Sequence, residues 1–363
     1  MILLVTNKHD FAADRVVHEL TGRGAAFGRL NTEDFPATIA CRYRLAAGQH
    51  TAVLDLGHGR EVDLAGVTAV WYRRPEPATI DARVSAPAAR RFARRESVAA
   101  LRAVLALAGA ARWVNRPEAN RAAEHKLVQL AVAAGAGLRT PETVVTNDPR
   151  EAARFHAGHR GGVVVKSLGP PYLDHAERTQ VYTSRVRPEH LDFLADVAYA
   201  PVLLQERIDK RLEIRVTVVG QRVLAASIDS QTSPVTRDDW RRDVFLARHA
   251  VHALPDDVVE RCLRVVRHFG LVFAAVDLIL TPGGEYVFLE LNPNGEWDWI
   301  EAMTGLPLAA ALTDVLTGVL TEGGAGGAEA SGADVPGRPR AGAGAGTCRA
   351  AVCQFPGQPR FGV

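Results

Sequence analysis

The stretch Phe273-Ala-Ala-Val-Asp277-Leu-Ile-Leu-Thr-Pro-Gly-Gly-Glu-Tyr-Val-Phe-Leu-Glu290-Leu-Asn292-Pro-Asn294-Gly295 constrains this chain more than any other. Two strand-like runs flank a Thr-Pro-Gly-Gly turn. A hairpin turning at Gly283-Gly284 sets Asp277 directly opposite Glu290. Glu290 and Asn292 are two apart and share a face of their strand. Three oxygen-bearing side chains therefore converge. Such a cluster suits Mg²⁺, which binds through one or two carboxylates plus the phosphates of a substrate. An ordinary acidic hairpin end would put its charges at the turn. Here they sit inside apolar runs, where an unpaired carboxylate is costly to bury.

The 363 residues are 47% hydrophobic and 23% charged, with a net charge of +2. That is a soluble globular composition, long enough for two or three packed units, with no global field for nucleic acid. Arginines crowd one stretch: Arg73, Arg74, Arg83, Arg90, Arg91, Arg94, Arg95 and Arg102. They read either as a solvated helix face or as a surface for an acidic partner. Cys41, Cys262, Cys348 and Cys353 show no metal-ligand spacing, which fits a reducing cytoplasm. Met1 runs straight into a strand-like Ile-Leu-Leu-Val rather than a secretory leader. No apolar run is long enough to span a membrane.

Periodicity predicts a strand at 2–7, an amphipathic helix at 11–22, strands at 51–56 and 67–72, and helix over about 87–110. A helix over 120–135, stopped by Gly135 and Gly137, follows. Strands are expected at 143–146, 163–166, 179–186, 201–208, 213–219 and 222–229. Helices are expected from 148, over 256–269 and over 306–320. From Glu322 the sequence turns to Gly, Ala, Ser and Pro and reads as a disordered tail. A Gly-Ala-Gly-Ala-Gly run there follows no strand and opens no helix, so it is no dinucleotide loop.

There is no Gly-x-x-x-x-Gly-Lys-[Ser/Thr] loop, no Gly-x-Ser-x-Gly and no His-Glu-x-x-His. A bound triphosphate must be held otherwise. Lys166 closes the buried strand Val-Val-Val-Lys, an odd place for an ammonium unless it meets phosphate. Lys126 reads alone as an exposed helix lysine. In Gln205-Glu206-Arg-Ile208 an extended backbone can serve a purine edge. Glu213 and Arg215 alternate onto one face, where a carboxylate can take ribose hydroxyls and an arginine can clamp a transferring phosphoryl group. Asp239-Trp240-Arg241 reads as a packed loop or as an arginine placed over phosphates.

Taken in order, several segments resemble the ATP-grasp superfamily, and within it the graspetide (microviridin-type) peptide ligases. They are Val70-Trp-Tyr-Arg-Arg-Pro75, His125-Lys126, Thr140-Pro-Glu-Thr-Val-Val-Thr-Asn147, Val165-Lys166, Gln205 to Gly220, Asp239-Trp240-Arg241, and Leu289-Glu290-Leu-Asn292-Pro-Asn294-Gly295-Glu-Trp297. The resemblance spans about 1–320. It implies α/β and α+β architecture in an ATP-grasp fold: an N-terminal pre-ATP-grasp α/β domain at 1–118, a central subdomain at 119–205, and a C-terminal subdomain with the metal site at 206–321, before a tail at 322–363. It implies ATP and Mg²⁺ as cofactors. Lys126 and Lys166 would contact phosphates, Gln205, Glu206 and Ile208 the adenine, and Glu213 the ribose. Asp277, Glu290 and Asn292 would hold Mg²⁺, and Arg215 and Arg241 would stabilise the transferring phosphoryl group. Arg73 and Arg74 are expected to recruit an acidic core. The implied partner is a ribosomal precursor peptide with a leader and an acidic, Thr/Ser-containing core. Its Asp or Glu side chains would become acyl phosphates and then ω-esters or ω-amides. No nucleic acid or membrane partner is expected, and superfamily relatives suggest a homodimer. Ser167-Leu-Gly-Pro-Pro-Tyr-Leu-Asp departs from the glycine-rich lid of many relatives. A ligase adding free amino acids to a peptide terminus would share every nucleotide residue. A non-catalytic binding module would not need all three metal ligands.

Overall fold

A computed structural model describes residues 1–57, 59–169, 172–174 and 179–319. The expected tail at 322–363 and Pro170-Pro171 of the loop after Lys166 lie outside them.

The chain opens with β1 (Ile2–Thr6), α1 (Phe11–Gly22) and β2 (Phe27–Asn31), then a meander of β3 (Ala40–Ala46), β4 (Gln49–Asp55) and β5 (Glu61–Asp63). β6 (Ala69–Tyr72), α2 (Pro87–Ala106) and β7 (Arg112–Val114) complete a parallel sheet of order β2-β1-β6-β7. β1 is an all-apolar run apart from Thr6 and is wholly buried, as a parallel strand covered on both faces must be. Asp10 caps α1, its carboxylate accepting from the Ala13 amide.

Next come α3 (Pro117–Ala123), α4 (Lys126–Gly135), β8 (Thr143–Thr146), α5 (Pro149–Gly158), β9 (Val163–Lys166), β10 (Tyr172–Asp174), β11 (Thr179–Gln180), β12 (Ser184–Arg185), α6 (Pro188–Leu191) and β13 (Val202–Glu206). β12-β9-β13-β8 form an antiparallel sheet. β14 (Leu212–Val219), β15 (Arg222–Asp229), β16 (Arg248–Val251), α7 (Asp256–His268), β17 (Phe273–Leu280), β18 (Tyr286–Asn292), α8 (Asp298–Thr304) and α9 (Leu308–Thr317) follow. Their strands make the five-stranded antiparallel sheet β16-β15-β14-β17-β18. One face of it packs on α4 and α7 through Ala133, Val258, Cys262 and Val266. Val219, Ala226 and Phe273 join α1, α8, α9 and the N-terminal sheet in a second core.

Two expectations are corrected. The helix expected over 120–135 is two helices, broken at Glu124-His125, so Lys126 is the first residue of α4 rather than a mid-helix lysine. The break frees the Ala123 carbonyl, which accepts instead from the Gln129 side-chain amide at 2.5 Å. The strand expected at 179–186 is two short pieces, β11 and β12.

Candidate active site

The hairpin pairs Asp277 with Glu290 as expected, but not through a simple two-residue turn. Thr281 and Glu285 close the tip, with the Thr281 amide donating to the Glu285 carbonyl at 2.9 Å. Leu280 then pairs with Tyr286 and Leu278 with Phe288. Leu289 is the extra residue of a bulge, and beyond it Asp277 meets Glu290. The bulge turns Leu289 toward Ile208, Ile279 and Val287.

These side chains line a cleft of about 500 Å³ between the two antiparallel sheets. Lys126, Lys166, Gln205, Glu206, Ile208, Glu213, Arg241, Asp277, Glu290 and Asn292 all reach it. Ile208, Ile279 and Leu289 form its apolar end. There the Gln205 amide donates to Thr143 Oγ1 at 3.0 Å, while its buried Oε1 has no partner among the described residues. Glu213 is buried. Its Oε1 accepts from Lys210 Nζ at 2.9 Å and from Ser230 Oγ at 2.8 Å. Lys210 was not singled out by the sequence, since it falls between the strands expected at 201–208 and 213–219.

The other end of the cleft is charged. Lys126 Nζ donates to the Ser167 carbonyl at 2.7 Å and lies 3.7 Å from Glu290. Arg241 is held by a fork to Asp239 at 2.8 and 2.6 Å, and Asp239 also takes the Thr183 amide. That pairing outweighs burial and holds the Asp239 carboxyl below its usual range. Burial, with Lys210, Lys126 and Arg241 adding to it against Glu290, pushes the Lys166 ammonium down to about 8. Burial would raise Glu290, but Lys126, Arg241 and Lys166 outweigh it and keep the carboxyl low. At Asp277 burial wins over Arg215, and the carboxyl rises. Lys126, Arg241 and Lys166 thus all bear on one carboxylate, Glu290, at this end of the cleft.

Arg215 does not line the cleft. It stands behind it, with Nη1 2.9 Å from both Asp277 oxygens and Nη2 donating to the Glu296 carbonyl at 2.9 Å. Asn292 Nδ2 donates to Asp277 Oδ2 at 3.2 Å, which leaves its own oxygen for another partner. Among the described residues no three His, Cys, Asp or Glu cluster into a metal site. The candidate set is two carboxylates and one amide oxygen, a hard-oxygen set that fits Mg²⁺ completed by phosphates.

Two buried amides fix this geometry, and sequence inspection passed over both. Gln129 exchanges two hydrogen bonds with the Leu291 backbone, at 2.8 and 2.9 Å, as a strand would. Asn115 accepts from the amides of Val272 and Phe273 and donates to the carbonyls of Phe273 and Pro293. Only placement in space reveals them, since an isolated Asn or Gln carries no pattern.

Arg73 and Arg74 do not sit together on an arginine-rich surface. Arg73 is 1% exposed. Its Nε reaches both Asp10 oxygens at 3.0 and 3.2 Å, Nη1 donates to the Gly295 carbonyl at 3.2 Å, and Nη2 to Glu296 at 2.5 Å. Arg74 is half-exposed and pairs with the same Glu296. An arginine amid arginines looks solvated until its distant acids are in place.

Gly295 is required by close approach. A Cβ there would lie 2.5 Å from Ala275 Cβ and 2.7 Å from Arg215 Nη2. Gly295→Ala is expected to cost about 1–3 kcal/mol of stability, as overpacking does, and to displace Arg215 from Asp277. Thermal unfolding checks the first effect and ATP turnover the second. An unchanged melting temperature with full turnover would show that the contact relaxes freely.

The fold and cleft define a carboxylate-activating ligase of the ATP-grasp type. Residues 1–121 match the family model described as the MvdD pre-ATP grasp domain, and residues 123–316 match the RimK-like ATP-grasp domain. The chain belongs to the ATP-grasp ligases that modify ribosomally made peptides. Macrocyclase MdnB of Microcystis aeruginosa MRC is 32% identical, at a TM-score of 0.71 over 87% of this chain and 98% of that one. Macrocyclase MdnC of the same organism, solved with the precursor peptide MdnA, is 28% identical, with a TM-score of 0.77 over 87% and 99%. A RiPP-associated ATP-grasp ligase of Chryseobacterium gregarium, solved with ADP and a leader and core peptide, is 28% identical, with a TM-score of 0.79 over 88% and 97%. A search of curated sequences returns no match. Among the described residues no helix is long and apolar enough to cross a membrane.

Proposed function

We propose that this protein spends ATP to join Asp or Glu side chains of a precursor peptide to Thr/Ser hydroxyls or Lys amines of the same peptide. One observation carries the reading. Lys126, Lys166, Lys210 and Arg241 line one cleft, and Lys126, Lys166 and Arg241 all bear on the single carboxylate Glu290. A triphosphate would give these clustered cations further oxygen partners.

In this reading adenine lies against Ile208, Ile279 and Leu289, and its amino group reaches the unpartnered Gln205 Oε1. The Ile208 amide, which donates to no group among the described residues, takes a ring nitrogen. Glu213 turns its second oxygen to the ribose. Asp277, Glu290 and Asn292 hold Mg²⁺, which when bound offsets charge on the phosphates. Lys126 and Lys166 grip those phosphates. A peptide carboxylate oxygen attacks the γ-phosphorus, the bond to ADP breaks, and Arg241 meets the charge that spreads over the transferring group. The hydroxyl or amine then attacks the acyl carbon, the acyl–phosphate bond breaks, and the departing phosphate takes up the proton that the attacking group loses. No protein nucleophile is required. Catalysis is positioning and charge stabilisation. The relatives solved with peptide support the choice of substrate. Arg74, exposed and paired with Glu296, is kept as a contact for an acidic core. The reading places the enzyme in the cytoplasm, as a homodimer that light scattering tests.

The test is the intact mass of a peptide encoded beside this protein after incubation with enzyme, ATP and Mg²⁺. The expected result is loss of one water per bond, with one ADP formed for each. Gain of an amino-acid mass would replace this reading with that of a terminal amino-acid ligase.

A further inference from the structure

We infer that Arg73 and Glu296 are positioning residues through which the N-terminal sheet holds the metal-site hairpin in register. The inference rests on the proposed Mg²⁺ role of Asp277 and Asn292, and it removes Arg73 from the peptide-binding set.

Arg73 follows β6, and its amide donates to the Val5 carbonyl of β1 at 2.8 Å. Its guanidinium is therefore fixed to the parallel sheet before it reaches anything else. Asp10, which caps α1, takes the Nε side and is itself held by Thr6 Oγ1 at 2.5 Å. The Trp71 ring lies 5.5 Å from the guanidinium carbon. The free fork then crosses to the turn after β18, to the Gly295 carbonyl and the Glu296 carboxylate. Arg74 binds the other Glu296 oxygen.

The Glu296 carbonyl is the anchor of Arg215, and Arg215 Nη1 lies on both oxygens of Asp277. The chain of contacts runs Asp10, Arg73, Gly295-Glu296, Arg215, Asp277. Gly295 leaves no room for slack, since a Cβ there would lie 2.5 Å from Ala275 Cβ and 2.7 Å from Arg215 Nη2. The same turn starts at Asn292, whose carbonyl accepts from the Gly295 amide at 3.2 Å. Two of the three candidate metal ligands thus hang on a turn gripped from the other domain. Partners behind metal ligands commonly matter this much, because they orient ligands that would otherwise wander. A substrate-binding arginine would keep donors exposed, and Arg73 keeps none.

The test is Mn²⁺ binding to the full-length protein in the presence of ADP, followed by electron paramagnetic resonance, with no peptide added. Failure of the peptide reading therefore leaves this result untouched. Glu296→Ala and Arg73→Gln are each expected to weaken Mn²⁺ binding by about 10- to 100-fold. The double variant is expected to be little worse than either, because both changes cut one chain of contacts. Arg73→Gln leaves buried Asp10 without its counter-charge and risks unfolding, so Glu296→Ala, at a 41%-exposed side chain, carries the test alone if needed. Mn²⁺ affinity unchanged in Glu296→Ala, or losses that multiply in the double variant, would overturn the inference. So would an Arg73→Gln protein that binds Mn²⁺ normally and loses only peptide affinity.

Discussion

Glu290→Gln is expected to lower ATP turnover by about 10²–10³-fold while the protein stays folded. The substitution keeps the shape of the side chain and removes only its charge. Lys126 at 3.7 Å then loses its ion partner, and Lys166 and Arg241 lose the carboxylate that offsets their mutual repulsion. Asp277 offsets these cations less, since its charge is already paired with Arg215. The metal set falls to one carboxylate and one amide. The sharper expectation concerns ADP without metal. Its binding should not weaken, because an anion near the phosphates has gone, whereas the gain in affinity that Mg²⁺ gives the parent should disappear. Calorimetry with and without Mg²⁺ separates the two. Turnover within tenfold of the parent would remove Glu290 from the chemistry.

Lys166→Met is expected to weaken ATP binding by roughly 10- to 150-fold, the loss of one charge-assisted bond of about 1.5–3 kcal/mol. The parent carries a pH signature that the variant lacks. In the empty cleft the Lys166 ammonium titrates near 8. Polyphosphate prefers the protonated form, so the nucleotide raises that value on binding. Affinity is fully present below about 8 and falls as pH rises beyond it. The empty protein moves the opposite way. Between about 8 and the ordinary 10.5 the unfolded chain keeps a proton that folded Lys166 gives up, so stability rises across that window. Affinity and melting temperature measured from pH 7 to 10 should therefore diverge in the parent and not in Lys166→Met. Parallel curves for both proteins would place the titration elsewhere.

What could be read from sequence followed from local pattern. Asp277 opposite Glu290 was legible because carboxylates inside apolar strands demand partners. The pairing is nevertheless reached by a different turn and the Leu289 bulge. Lys166 was legible because three valines precede it. β3, almost entirely exposed, offers no apolar alternation to read, and it was missed. The break before Lys126 leaves the Ala123 carbonyl to the Gln129 side chain six residues on, a side-chain bond that helical periodicity does not display. Arg73 was misplaced because its acids, Asp10 and Glu296, are 63 and 223 residues away in the chain. Local composition said surface, and long-range pairing says interior.

β18 is the last strand of its sheet, and its outer backbone groups would be a template for another chain. They are not left open. The Gln129 side chain occupies the Leu291 amide and carbonyl, and the Arg139 carbonyl takes the Phe288 amide at 2.7 Å. The strand that carries Glu290 and Asn292 is thus shielded by one side-chain amide standing in for a neighbouring strand. Solubility and the proposed metal site share that shield. A chain that loses Gln129 faces self-association along the same strand that loses its ligand geometry, so aggregation and inactivity would arrive together.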